Sequence, residues 1–182
     1  MSALVRPYLD ARARLAALTD GLEPRLFNRK PSASGWSAGE CVVHLNRTAA
    51  GYLPAFERLA GTLPPGEGPF RYGWLARRFI EAVRPGSRAL PTAGAMKPPA
   101  ATGRESDVDP DAALRQFNDD MDRLVAVARR LEGRDLTAVR MRSPFLPALR
   151  LPLGAFVEAL GLHACRHVEQ AERAVAAARE GG

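Results

Sequence analysis

Four stretches of this 182-residue chain each carry a single apolar seam, and that pattern limits the fold more than any other feature. Leu4, Tyr8, Ala11, Leu15, Leu18 and Leu22 recur three or four apart, marking a first helix over roughly 3–19. A second helix starts at Ser37 and buries Cys41, Leu45, Thr48, Tyr52 and Phe56, with His44 beside them. Leu114, Phe117, Met121, Leu124, Ala128 and Leu131 repeat the spacing over 110–132. The last seam, over 152–179, is Leu153, Phe156, Leu160, His163, His167, Gln170 and Ala174. Residues three and four apart share one helical face. Four helices with one seam each can bury them only against one another. The expected class is therefore all-α, a four-helix bundle forming a single domain over 1–182.

Local signals place the ends. Ser37-Ala38-Gly39-Glu40 is a capping box, in which the serine oxygen covers an early amide and the glutamate reaches back to the cap amide. Asp109 caps the third helix with Pro110 at its first position, and Gly133 closes it. Pro54 removes a backbone hydrogen bond inside the second helix, so a kink or interruption is expected near 50–54. Residues 70–83 read as a short extra helix. The segment 84–103 is dense in Pro, Gly and Ala and reads as part of a long crossover between helices 2 and 3. A second connection, 134–151, contains Pro144 and Pro147 and shows no clear period.

Composition excludes several classes. No stretch approaches 18 uninterrupted apolar residues, so no membrane span is expected. Arg6 and Asp10 stand where a signal peptide needs an apolar run, and Cys41 and Cys165 are too few for a disulfide framework. The expected location is cytoplasmic. The net charge of +6 rests on scattered arginines, with only Lys30 and Lys97 as lysines. No nucleic-acid-binding signature accompanies them, so no nucleic-acid partner is expected. Excess arginine also suits a small anionic substrate, because the guanidinium fork matches carboxylates and phosphates.

The chain has three histidines, His44, His163 and His167. The last two are an i,i+4 pair on a seam, so both point into the bundle. Two buried imidazoles need partners for both ring nitrogens. With His44 on a facing helix, three nitrogens would bind a divalent metal and leave an open coordination position, as catalytic sites do. Ala164 occupies the place of the glutamate in HExxH, which disfavours a zincin protease. Glu40, one turn before His44, fits a general base or an orienting group, although its capping role already explains it. Gln170, one turn beyond His167, could orient a ligand, bind substrate, or be a satisfied core group. Cys41 could add a soft ligand, but a buried hydrophobe is the commoner fate of a free cysteine. Cys165 lies about 200° from His163 on the helix and reads as structural. Trp36 reads as a staple on helix 2 in preference to a substrate platform, and Asn46 and Arg166 as surface or interface residues. Tyr72 and Trp74 are candidates for lining a pocket under the crossover, with Arg77 or Arg78 for anion contact.

Trp36-Ser37, Glu40, His44-Leu45 and the closing His163-xxx-His167-xx-Gln170 together resemble the DinB-like family, the YfiT-like metalloproteins. The resemblance covers the whole chain in helix order and spacing. It implies nickel or zinc held by His44, His163 and His167, and frequent dimers, so a homodimer is among the expected assemblies. It also implies a thiol S-transferase using bacillithiol or mycothiol, or a metal-dependent hydrolase, acting on a small-molecule substrate. The alternative from another class is a non-catalytic metal- or ligand-binding bundle that serves as a scaffold or stress-linked partner.

Overall fold

The computed structural model describes residues 2–88, 94–99 and 103–180. The helices are α1 (Arg6–Thr19), α2 (Pro24–Asn28), α3 (Ala38–Ala60), α4 (Trp74–Val83), α5 (Pro110–Arg130) and α6 (Leu153–Glu180). Strands β1 (Arg140–Arg142) and β2 (Arg150–Pro152) form an antiparallel hairpin, and Gly94–Met96 makes one 3-10 turn. The chain is all-α apart from that hairpin. Among the described residues, no helix is long and apolar enough to cross a membrane.

Side-chain pairs fix the directions of the four long helices. Near its start α1 gives the Tyr8 hydroxyl to the Val157 carbonyl, and further on Arg14 forks onto Glu172, so α1 and α6 run parallel. His44 meets His163 while Tyr52 meets Phe156, so α3 and α6 are antiparallel. Asn46 meets Ala113 while Glu57 meets Arg123, so α3 and α5 are parallel. Parallel neighbours cannot be joined by a tight turn. The segment 61–109 spans that gap, as the sequence predicts, and carries α4 across α6 on its way.

The predicted caps form. Ser37 Oγ accepts from the Glu40 amide at 3.0 Å, and Glu40 Oε2 accepts from the Ser37 amide at 2.9 Å. Asp109 Oδ1 accepts from the amides of Asp111 and Ala112. Gly133, at φ +69°, takes the left-handed backbone that ends α5.

Two expectations need correction. The interruption near 50–54 does not occur: α3 runs unbroken through Pro54. Pro54 and Ala50 both face solvent, so the carbonyl that loses its partner can turn to water. The connection 134–151 contains the hairpin, whose three-residue strands are too short to display a period. Its register pairs Met141 with Leu151, both buried, and sets arginines outward. The tip of the hairpin lays the Phe145 ring on α3 at Gly51. A Cβ at Gly51 would lie 2.3 Å from that ring, so only glycine admits the approach.

Candidate metal centre

His44 enters the bundle because the capping box starts α3 at a fixed residue, which sets the rotation of the helix. His163 and His167 enter because they occupy two successive turns of the α6 seam. The three rings meet, with centroids 4.4 to 5.0 Å apart. One nitrogen from each lies within 4.8 Å of the others. His44 Nε2 and His163 Nε2 stand 3.2 Å apart. Nitrogens bound about 2.0–2.1 Å from one tetrahedral ion would sit about 3.4 Å apart, so the spacing suits a metal.

The crossover sets the tautomer of His44. Its Nδ1 lies 2.8 Å from the Met96 carbonyl, which can only accept. Nδ1 therefore carries the proton, and Nε2 presents a lone pair to the cluster. His167 Nδ1 is buried with no hydrogen-bond partner, a costly state that a ligand would relieve. Gln170 interacts with the His167 ring without satisfying that atom. Burial lowers the pKa of all three histidines; for His163 and His167 the charge of neighbouring rings and Arg166 adds to the effect, whereas for His44 the Met96 carbonyl works against it. His163 is pushed down to about 3. The rings are neutral at physiological pH, as metal ligands must be. The donor set, the spacing and the orphaned nitrogen fit a divalent ion.

The cluster lies at one end of a cavity of about 450 Å³, a size that suits a small molecule. Trp36 covers it, with its ring 5.0 Å from His44 and 5.8 Å from His167. It lines the cavity, where the sequence favoured a staple over a substrate platform. Gln170 also lines it. Glu40 does not: its side chain is 3 % exposed, holds the Ser37 amide and lies 3.5 Å from the buried Lys30 ammonium. Cys41 is fully buried in the core and outside the cluster. Cys165 faces α1, where its thiol donates to the Pro7 carbonyl.

The wall facing α6 comes from Phe79, Ala82 and Val83, not from Tyr72, Trp74, Arg77 or Arg78. Helix α4 begins only at Trp74, which is 68 % exposed, and the face it presents inward lies later. Arg166, read from sequence as a surface or interface residue, lines the cavity. Its guanidinium donates to the carbonyls of Ala82 and Arg88 and to the Ser87 hydroxyl. Among the described residues no carboxylate lies within 4 Å of it, so its charge stands uncompensated at the cavity wall. Asn46 is not a simple surface residue either: its amide nitrogen donates to Ala113, and its Oδ1 is buried. Of the crossover segment 84–103, residues 89–93 and 100–102 lie outside the described residues.

A family pattern described as the DinB superfamily matches residues 8–171. No curated protein and no solved structure shows a significant match.

Proposed function

The chain belongs to the DinB superfamily, and from that premise we propose that it is a divalent-metal-dependent enzyme that transfers a low-molecular-weight thiol to a small electrophile. One observation carries the reading. Three neutral imidazoles converge at the end of an open cavity whose described lining includes no Asp or Glu. Hydrolysis by activated water is usually helped by a carboxylate base nearby. A thiol, with its pKa near 8.5, needs far less help to ionise. An ion held by His44, His163 and His167, with nickel or zinc as the candidates, supplies a Lewis acid that favours the thiolate.

The side chains do the rest. Met96 holds His44 in the ligand tautomer. Trp36 and the apolar walls exclude water, which would compete as nucleophile. Arg166 offers a cation to a carboxylate on the thiol. Gln170 is proposed to orient the His167 ring. Glu40 acts at a distance by fixing the start of α3.

The test is elemental analysis of purified protein, then mass spectrometry of products from 1-chloro-2,4-dinitrobenzene with and without thiol. Adducts formed by metal-loaded wild type, absent with His163→Ala, support the reading. Ester hydrolysis without thiol would move the protein to the hydrolase class. No bound metal and no turnover would leave the scaffold.

A further inference from the structure

The far end of the same cavity has its own chemistry. Tyr52 lies eight residues beyond His44 on α3, two turns and about 12 Å along the axis. Its side chain is 4 % exposed and lines the cavity. Helical side chains lean towards the N-terminus, so the ring tilts back towards the metal end. Phe56, Phe145 and Phe156 hold it on three sides, with ring centroids 5.4 to 5.7 Å away.

The Tyr52 hydroxyl oxygen sits 2.9 Å from Ser143 Oγ, and either could donate. The remaining partners of Ser143 decide which. Ser143 Oγ accepts from the Phe145 amide at 3.3 Å and the Leu146 amide at 3.2 Å. A hydroxyl oxygen has two lone pairs, and both are taken. Ser143 must therefore donate its own proton to Tyr52. Among the described residues the Tyr52 proton is then left without an acceptor, on a residue that lines the cavity.

We infer that Tyr52 is a substrate-binding residue whose spare proton is donated to a hydrogen-bond acceptor on the electrophile. The cavity thus selects small, largely apolar molecules, aryl groups above all, that carry a neutral acceptor such as a carbonyl or nitro group. The walls set that class: Phe79, Phe145, Leu146 and Leu160 line the same cavity with carbon. The assignment rests on the metal-site reading only for calling the ligand an electrophile; binding can be measured without turnover.

The probes are 4-methylacetophenone and 4-isopropyltoluene, alike in shape but differing in the carbonyl. Their binding to purified protein, with and without zinc, is followed by ligand-observed NMR titration, and the ketone carbonyl stretch by infrared difference spectroscopy. Tyr52→Phe keeps the ring and removes the proton. It should weaken the ketone about tenfold, the size of one buried hydrogen bond. It should leave the hydrocarbon within about twofold and return the carbonyl stretch to its unbonded frequency. Zinc affinity should not change. Equal weakening of both probes would reduce Tyr52 to a packing residue and overturn the inference. So would a ketone preference that survives Tyr52→Phe and vanishes with His44→Ala, because the ion would then hold the carbonyl. Failure of the ketone to bind also overturns it. Absence of zinc binding or thiol turnover, with Tyr52-dependent ketone binding intact, would instead sink only the transferase reading.

Discussion

Glu40→Gln separates a carboxylate that acts on substrate from one that holds the fold. In the structure Glu40 has two partners and no access to the cavity. One oxygen accepts the Ser37 amide at 2.9 Å; the other lies 3.5 Å from Lys30 Nζ, with both side chains at least 93 % covered. Glutamine can keep the first bond by turning its carbonyl to Ser37. That turn aims its NH₂ at the ammonium, donor against donor. The buried Lys30 charge then has lost its counterion. Removing one partner of a buried pair costs about 3–5 kcal/mol, because the remaining charge is stranded. A chain of this size loses roughly 2–4 °C of Tm per kcal/mol, so Tm should fall by about 6–20 °C. Lys30→Met in the Glu40→Gln background removes the stranded charge and should recover about 2 kcal/mol. Differential scanning calorimetry of wild type, both single variants and the double variant gives the cycle. Thiol-dependent turnover, measured well below every Tm, should stay within a few-fold of wild type. A Tm within about 2 °C of wild type for Glu40→Gln, or no recovery in the double variant, refutes the energetic argument. Turnover reduced a hundredfold at an unchanged Tm would make Glu40 a catalytic base after all.

Metal should raise the Tm by mass action: at 100 times Kd the native state gains about 2.7 kcal/mol, or roughly 5–11 °C. His163→Ala should remain folded and show no such rise; an equal rise would place the ion elsewhere. For the metal-free protein, the unfolded chain takes up protons on its histidines near pH 6.5 whereas the folded rings resist. Stability should therefore be full above about pH 6.5 and decline as the pH falls towards the His163 value of about 3; urea midpoints that are flat across this window would contradict the burial of the rings. Gly51→Ala should destabilise wild type through contact with the Phe145 ring but stabilise a Phe145→Ala background by up to about 1 kcal/mol, because alanine is the better helix former. Additive effects in that cycle would mean the ring moves aside freely.

The seams showed which faces of α1, α3, α5 and α6 are buried, because burial of a long helix writes itself as a period. The same periodicity aimed His163 and His167 inward, and the Ser37 cap fixed His44 in register with them. What the sequence could not show are contacts made by backbone. The Met96 carbonyl that accepts the His44 Nδ1–H hydrogen bond has no side-chain signature. Ser143 is delivered by strands three residues long, below the length at which alternation is legible. Trp36 precedes its helix, so its direction follows from how the chain enters the cap. Tyr72 and Trp74 were reasonable aromatic candidates, but the inward face of a ten-residue helix depends on where that helix starts. Arg166 is held at the cavity by the Ala82 carbonyl of α4 and by Ser87 and Arg88 just beyond that helix, contacts that leave no mark on the seam pattern.

The turn that carries Met96 belongs to the same crossover that joins two parallel helices, and its carbonyl grips His44, a proposed metal ligand. That contact should link the two thermodynamically. A molecule that favours the position of this turn tightens the hold on the ion. By reciprocity the ion must tighten the hold on that molecule by the same factor. Titrating zinc at several concentrations of a cavity ligand measures this coupling directly, and independence of the two affinities would show that the Met96 contact transmits nothing.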